Sequence, residues 1–136
     1  MREYFVDAWF MIAVLDRSDA HHPQAVRLGD RIKRLPAALV THEAVFTEVL
    51  AYFCDDGAQA RERAVNMVRR SQALWTVVSI DRDLFDAALD LYAARPDKEY
   101  SLTDCMSMVV MREQRIEHVL TNDHHFRQEG FTVLSE

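Results

Sequence analysis

The amino-acid sequence predicts an α/β fold, in which a central, mostly parallel sheet is flanked by helices to form three layers. Short apolar runs alternate with longer helical stretches along the chain, and this order is typical of parallel sheets. The runs lack a period of two, as expected for strands that are buried on both faces. Only 3 Gly and 3 Pro occur in 136 residues, so we expect regular structure joined by short connections.

Five runs that are rich in apolar, β-branched or aromatic residues are predicted to be strands. In chain order they cover residues 4–6, 38–41, 74–80, 118–121 and 132–134. Between and beyond them, apolar residues recur with the period of a helix. The predicted helices cover residues 8–15, 22–32, 42–54, 59–71, 82–94, 102–114 and 124–129.

The composition predicts a single folded domain over residues 1–136. Hydrophobic residues make up 49% and charged residues 28%, which is the balance of a globular protein. No leader is visible, and no apolar run approaches the roughly 18 residues that span a bilayer, so we expect a cytoplasmic protein without membrane contact. The net charge of −6 argues against binding nucleic acid over the whole surface, although a local site remains open.

The two cysteines, Cys54 and Cys105, stand alone, without the spacing of a CxxC motif or a metal finger. Free cysteines are among the most often buried residues. We therefore predict that both are reduced thiols in the core.

Three aspartates follow strands or begin helices, which gives each of them two interpretations. Asp7 follows the first strand and Asp123 follows the fourth, and ligands of parallel sheets bind beyond such strand ends. Taken singly, however, Asp7 can cap the next helix, Ser101 and Asp104 can form a capping box, and Asp123 or Asn122 can cap the last helix.

Glu48 does not have a capping interpretation, because it lies inside the third predicted helix. At 100° per residue it falls beside Val45 and Tyr52, on the border of the apolar face. A carboxylate there must be paired, protonated or bound to a cation. The alternative is a side chain that reaches solvent or an arginine.

The acidic residues together predict a metal-dependent hydrolase. The helix that begins near Asp104 is apolar nearly all round, so its first turn should open onto the end of the sheet rather than onto water. Several carboxylates at one point repel each other unless a cation lies between them, and Mg²⁺ and Mn²⁺ prefer such oxygen ligands. Phosphodiester hydrolysis uses this arrangement.

At these residues the chain resembles the PIN-domain nucleases, and specifically the VapC-type toxin ribonucleases of toxin–antitoxin pairs. The resemblance spans nearly the whole chain. It is carried by five segments, which are Tyr4-Phe5-Val6-Asp7, Asp19 with His22-Pro23-Gln24-Ala25, Val40-Thr41 to Glu48-Val49-Leu50, Ser101-Leu102-Thr103-Asp104-Cys105, and Leu120-Thr121-Asn122-Asp123-His124-His125-Phe126 with Gly130-Phe131.

The resemblance implies a PIN-like fold and Mg²⁺- or Mn²⁺-dependent cleavage of RNA. It also implies an inhibitory antitoxin partner and a homodimer. It assigns the acidic metal and catalytic positions to Asp7, Glu48, Asp104 and Asp123, with support from Thr103, Thr121 and Asn122. Family members often carry Thr or Ser after the first aspartate, whereas this chain has Ala8 followed by Trp9, which leaves the details of coordination open.

Histidines offer a competing interpretation, because His21, His22, His124 and His125 lie near carboxylates in the sequence. Adjacent residues of a helix diverge by about 100°, so neither pair easily places both rings on one ion. The usual ligand spacings of a zinc site are also absent. We expect His22 to pack or cap its helix and His124 to approach the substrate.

Two helices carry more apolar residues than a small core requires, and they predict a dimer or partner interface. The alternative is ordinary packing against the sheet. The residues concerned are Val45, Phe46, Val49, Phe53, Phe85, Leu89 and Tyr92.

The leading hypothesis is therefore an endoribonuclease toxin, and three alternatives remain. A PIN-domain nuclease could process RNA without being a toxin. A binding module could retain only a vestigial metal pocket, which Ala8 would favour. A phosphatase with an aspartate nucleophile is disfavoured, because Trp9 stands where such enzymes need a second aspartate.

Overall fold

A five-stranded, all-parallel sheet forms the centre of the protein, which we describe from a computed structural model that covers residues 1–136. The strands lie side by side in the order β3-β2-β1-β4-β5. β1 is paired with both β2 and β4, so it is the middle strand. The strands are β1 (Arg2–Val6), β2 (Ala37–His42), β3 (Thr76–Val78), β4 (His118–Leu120) and β5 (Thr132–Leu134).

Seven helices connect and flank these strands. They are α1 (Ala8–Leu15), α2 (His22–Lys33), α3 (Glu43–Tyr52), α4 (Ala58–Leu74), α5 (Arg82–Ala94), α6 (Leu102–Glu113) and α7 (His125–Gln128). The chain moves from β1 outward to β3 and then crosses back to β4 and β5. Because crossovers between parallel strands are right-handed, this reversal places α1 to α4 on one face of the sheet and α5 to α7 on the other.

The strands are buried because helices cover both faces of the sheet. Phe5 and Val6 in β1, Val40 in β2, and Val119 and Leu120 in β4 are fully buried. The Thr41 hydroxyl donates to the Val6 carbonyl at 2.9 Å and adds a side-chain bond between β1 and β2. Apolar strands of this kind form a continuous core without the alternation of a half-exposed sheet.

The predicted fold class is confirmed, and the elements differ from prediction mainly at their ends. The third strand, predicted from residue 74, begins at Thr76 because α4 continues through Leu74. The third helix ends at Tyr52 rather than at residue 54. Short apolar runs fit helix and strand equally well, so such boundaries depend on tertiary packing. No helix of the protein has the length and apolarity needed to cross a membrane.

The cysteine prediction is half wrong. Cys105 in α6 is buried as expected, whereas Cys54, just beyond α3, is exposed. Because α3 ends at Tyr52, the chain turns toward solvent at Cys54, and only Phe53 remains in the core.

The surplus of apolar residues also divides into two parts. All four of those on or next to α3 are buried, namely Val45, Phe46, Val49 and Phe53, so ordinary packing explains them. On α5, by contrast, Phe85, Leu89 and Tyr92 are 41%, 47% and 52% exposed. Their spacing of four and three residues aligns them in one stripe.

Helix α7 ends in a Schellman motif. Phe131 donates its backbone N–H to the Phe126 carbonyl, and Gly130 donates to the Arg127 carbonyl. Gly130 has a φ of +91°, a conformation that favours glycine. The rings of Phe126 and Phe131 pack edge to face, with their centroids 6.4 Å apart. This short helix therefore has a defined end, although four residues could not form a stable helix alone.

Glu129, the residue that directly follows α7, joins this helix to the loops and helices on the same face. Its carboxylate accepts from Arg95 Nε at 3.0 Å, from Arg112 at 2.7 Å and from the Tyr100 hydroxyl at 3.0 Å. Burial opposes ionisation, but these three partners outweigh it and lower the pKa of Glu129 to about 2. The carboxylate is therefore ionised at neutral pH and fixes the turn in place.

Candidate metal centre

The candidate site lies at the carboxyl ends of β1 and β4, where the direction of the chain across the sheet reverses. Ligands of parallel sheets bind at such switch points. A cavity of about 610 Å³ opens here. It is lined by Asp7, Glu48, Asp104 and Asp123, together with Ala8, Trp9, Ile12, Thr121, Asn122, His124, His125 and Gln128.

Four different elements bring the acidic residues to this edge. Asp7 directly follows β1, and Asp123 lies three residues beyond the end of β4. Helix α3 begins at the carboxyl end of β2 and carries Glu48, while α6 runs back toward β4 and carries Asp104 in its first turn. Parallel strands thus collect acids that are far apart in the sequence.

Asp7 is the most buried of the four acids, with 7% of its surface exposed. One carboxylate oxygen accepts the Ala8 N–H at 2.9 Å, and the other accepts the Thr121 hydroxyl at 2.8 Å. Burial, together with repulsion from Asp104 and Glu48, raises the pKa of Asp7 to about 7, although these hydrogen bonds act in the opposite direction.

Thr121 organises both strand ends. Its hydroxyl donates to Asp7 and also accepts the backbone N–H of Asp123 at 3.1 Å. Thr121 is fully buried, and such a side chain needs its hydrogen bonds satisfied inside the protein. It therefore fixes the loop that carries Asp123 relative to the end of β1.

Asp104 is positioned by a complete capping box at the start of α6. The Ser101 hydroxyl accepts the Asp104 N–H, and the Asp104 carboxylate accepts the Ser101 N–H, both at 3.0 Å. Burial raises the pKa of Asp104, the bond from Ser101 lowers it, and the nearby Asp123 raises it again. The capping role and the pocket position therefore belong to the same side chain.

Glu48 is exposed along one side, and its carboxylate faces the pocket. Burial of that carboxylate raises its pKa, the Thr103 side chain lowers it, and repulsion from Asp104 raises it. The predicted alternative is a side chain that reaches solvent or an arginine. Its arginine half is wrong, because no basic side chain forms an ion pair with Glu48, and its solvent half is correct, because the residue is exposed. The acid remains available to a cation.

The chemistry of these side chains fits a hard divalent cation. Asp7, Glu48 and Asp104 have raised pKa values, and each feels the negative charge of another acid in the site. A cation bound between them would remove this repulsion and would favour the ionised forms. Mg²⁺ and Mn²⁺ bind to clusters of carboxylate oxygens and retain water ligands.

Two of the three capping interpretations are correct as well, since Asp7 caps α1 and Asp104 belongs to a capping box. The third is wrong for α7, because its N-cap is His124, whose side chain makes no capping bond. Asp123 accepts the His125 N–H at 2.9 Å in the turn before α7. A carboxylate has two oxygens and about four lone-pair directions, so a capping bond leaves capacity for another ligand. The two interpretations therefore do not exclude each other.

Two groups in the site are absent from the predicted set of site residues. Trp9 lines the pocket, and its buried indole N–H has no hydrogen-bond partner. His125 approaches Asp104 and Asp123, with Nδ1 at 3.6 Å and 3.1 Å from their oxygens. In the sequence His125 is a candidate ligand only as part of a histidine pair, whereas the structure brings this one ring to the acids.

The other histidines have different roles. His22 bonds to the Ala13 carbonyl at 2.7 Å and joins α2 to α1, so its predicted packing role is confirmed. His124 is exposed and contacts Arg127 at 2.9 Å. His124 and His125 diverge as expected for adjacent residues, and only His125 joins the acids.

The family model for the PIN domain matches residues 4–131 of the chain. A curated relative, the 23S rRNA-specific endonuclease VapC20 of Mycobacterium tuberculosis, is 28% identical over 133 residues, which is 96% of each chain. The crystal structure of M. tuberculosis VapC20, a sarcin–ricin loop cleaving toxin, superposes with a TM-score of 0.86 at 27% identity and covers 98% of this chain and 99% of its own.

More distant structures share the fold. FitAcB from Neisseria gonorrhoeae has a TM-score of 0.71 at 13% identity, with 96% of both chains covered. DNA-bound VapBC from Salmonella typhimurium has a TM-score of 0.65 at 16% identity, with 98% of both chains covered. The chain therefore belongs to the PIN-domain family and is a nuclease of the VapC type.

Proposed function

We propose that the protein is a Mg²⁺- or Mn²⁺-dependent endoribonuclease and the toxin of a toxin–antitoxin pair. The observation that carries this proposal is the single pocket lined by Asp7, Glu48, Asp104 and Asp123 at the switch point of the sheet. These acids come from four elements, and capping alone gives no reason for them to share a cavity.

In this proposal the four carboxylates hold the cation, and Thr121 keeps Asp7 and the Asp123 loop in register. A bound divalent ion would polarise the phosphodiester and make water a better nucleophile. Asn122 lines the pocket and offers an amide to a phosphate oxygen, while Thr103 supports Glu48. Ala8 provides no hydroxyl, so Thr121 is the hydroxyl that contacts Asp7.

RNA is the proposed substrate class, and a ribosomal RNA is the first one to test. The curated relative is named for 23S rRNA, and its structure for the sarcin–ricin loop. The net charge of −6 and the acidic pocket repel a polyanion. A cation held by the four acids would therefore have two effects, because it would attract the phosphate and also activate it.

An antitoxin is the proposed protein partner, since several structural neighbours are VapBC or toxin–antitoxin complexes. A groove of about 570 Å³ between α1, α2 and α4 offers a place for it. The groove floor includes Val14, Val26 and Met67, and Arg63 and Arg70 also line it. Such a groove fits an apolar segment that also carries acidic residues.

We also infer a homodimer from the exposed stripe of Phe85, Leu89 and Tyr92 on α5. Three large apolar side chains on one helix face lose solvent-exposed area most simply against a second copy of the same face. Two alternatives to the toxin remain for experiment, namely an RNA-processing nuclease and a binding module that has lost its metal.

Loss of the Asp104 carboxylate should abolish catalysis without unfolding the protein. Asp104→Asn keeps an oxygen for the capping box but removes a charged ligand, and we expect at least about a 100-fold slower cleavage of 23S rRNA in Mn²⁺. The exposed Asp55→Asn is the matched control. Chelator should stop the wild type, and chelator-resistant cleavage by Asp104→Asn would refute the proposal.

The raised pKa of Asp7 should make the metal-free protein lose stability as pH rises. In the folded protein Asp7 keeps its proton up to about pH 7, whereas in the unfolded chain it releases the proton near pH 3.8. The contribution of Asp7 to stability is therefore fully present below pH 4 and disappears between pH 4 and 7. His42 has the opposite effect on stability, which it increases as pH rises from about 4 to 6.5, because burial lowers the pKa of its imidazole from 6.5 to about 4.

Comparison of the wild type with Asp7→Asn separates the effect of Asp7 on stability from that of His42. The urea midpoint of Asp7→Asn, relative to wild type, should rise between about pH 4 and pH 7 and then level off, because only the wild type must ionise a buried acid. Asp55→Asn should show no such trend. Equal pH profiles for wild type and Asp7→Asn would show that Asp7 is not the titrating group.

Expression should arrest growth of a bacterial host if the nuclease is a toxin. Arrest should require Asp7, and co-expression of a protein from a small adjacent open reading frame should relieve it. Val26→Glu, which places a charge in the groove, should still arrest growth but resist that relief. Unhindered growth with an enzyme that cleaves RNA in vitro would favour the RNA-processing alternative.

Disruption of the α5 stripe should produce monomers. Leu89→Lys introduces a charge into the stripe, and the molar mass measured by light scattering should fall from that of two chains to that of one. Leu35→Lys changes a residue of similar exposure away from α5 and should leave the mass unchanged. A wild-type monomer at micromolar concentration would contradict the inferred dimer.

A further inference from the structure

A histidine nitrogen lies inside the acidic site without a partner of its own. Asp104, Asp123 and His125 offer ligand atoms that all lie within 4.8 Å of one another. The His125 side chain is 27% exposed, but its Nδ1 is buried and makes no hydrogen bond. A buried polar atom without a partner costs free energy, so its position indicates a ligand.

Hydrogen bonding to the acids does not account for this nitrogen. Nδ1 is 3.6 Å from Asp104 Oδ2, which is too far, and its 3.1 Å contact with Asp123 Oδ1 does not have the geometry of a hydrogen bond. Both oxygens already accept backbone N–H groups, from Ser101 and from His125 itself. The three side-chain atoms therefore lie close together without a hydrogen bond between them.

Their spacing matches neighbouring ligands of an octahedral ion. Bonds of about 2.1 Å at right angles separate adjacent ligand atoms by about 3.0 Å, by simple geometry from ordinary bond lengths. The observed separations from Nδ1, 3.1 Å and 3.6 Å, are near this value. The two oxygens themselves lie within 4.8 Å of each other.

A contact with Tyr100 also holds the His125 imidazole in place. Its ring packs edge to face on Tyr100, with centroids 5.3 Å apart, and Tyr100 donates its hydroxyl to Glu129. Arg95 and Arg112 fix Glu129 in turn. Support of this kind is typical of groups that orient a metal ligand, because a fixed ring loses less entropy when it binds.

We propose that His125 Nδ1 is a ligand of the divalent ion, in company with Asp104 and Asp123, and that it makes the site prefer Mn²⁺ over Mg²⁺. Imidazole nitrogen suits transition metals, whereas Mg²⁺ demands oxygen ligands. The proposal rests on the metal-dependent function above and specifies which ion that function uses.

Pulsed electron paramagnetic resonance of the Mn²⁺-loaded wild-type protein at pH 8 tests the bond directly. A bound histidine nitrogen should give ¹⁴N modulation of the Mn²⁺ echo, and selective ¹⁵N-histidine labelling should replace it. This comparison requires no substitution, so misfolding cannot affect it. The modulation should be absent in His125→Gln and retained in His124→Gln, the exposed neighbour.

Calorimetric titration provides the second measurement. His125→Gln should weaken Mn²⁺ binding by about 10- to 100-fold and Mg²⁺ binding by much less. Equal weakening of Mn²⁺ and Mg²⁺ binding by His125→Gln would overturn the proposed role of His125. That role would also be overturned if the wild type bound Mn²⁺ and its echo showed no histidine modulation. Neither result would overturn the metal-dependent function. A wild type that binds neither ion would overturn the proposed metal-dependent function together with it.

Discussion

The parallel pairing of β1 with both β2 and β4 is the constraint on which the site depends. Because all three strands point the same way, whatever follows them meets at one edge of the sheet. Asp7 follows the middle strand directly, so burial of the strand also buries the acid. An antiparallel neighbour would send its following loop to the opposite edge, and the carboxylates would not meet.

The acids that the proposed function requires also lower the stability of the fold. Burial in the pocket, together with repulsion between the acids, raises the pKa of Asp7, Glu48 and Asp104, so the fold disfavours their ionised forms unless a cation balances the charge. Neutral hydrogen bonds from Thr121 and Ser101 hold two of the acids in place without removing their charge. Glu129 differs, because two arginines neutralise it and it stabilises the fold.

Much of the fold could be predicted from the sequence because its strands are uniformly apolar and its helices are periodic. Glu48 was informative because a carboxylate inside a helix has no capping role. The ends of α3 and α4 could not be predicted, since packing decides where an apolar run stops, and Cys54 was misplaced for this reason. The role of His125 depends on a turn of the chain and on Tyr100, contacts that no spacing rule contains.

The segment from Tyr100 to Gly130 contains two of the acids, the histidine beside them and the ion-paired turn that supports it. Half of the pocket's acids and the histidine beside them therefore come from one continuous stretch of about a quarter of the chain. The walls contributed by Trp9 and Ile12 lie outside that stretch. Asp7 and Glu48 also lie outside it, in the first half of the chain, so the pocket is complete only when the sheet has brought both halves together.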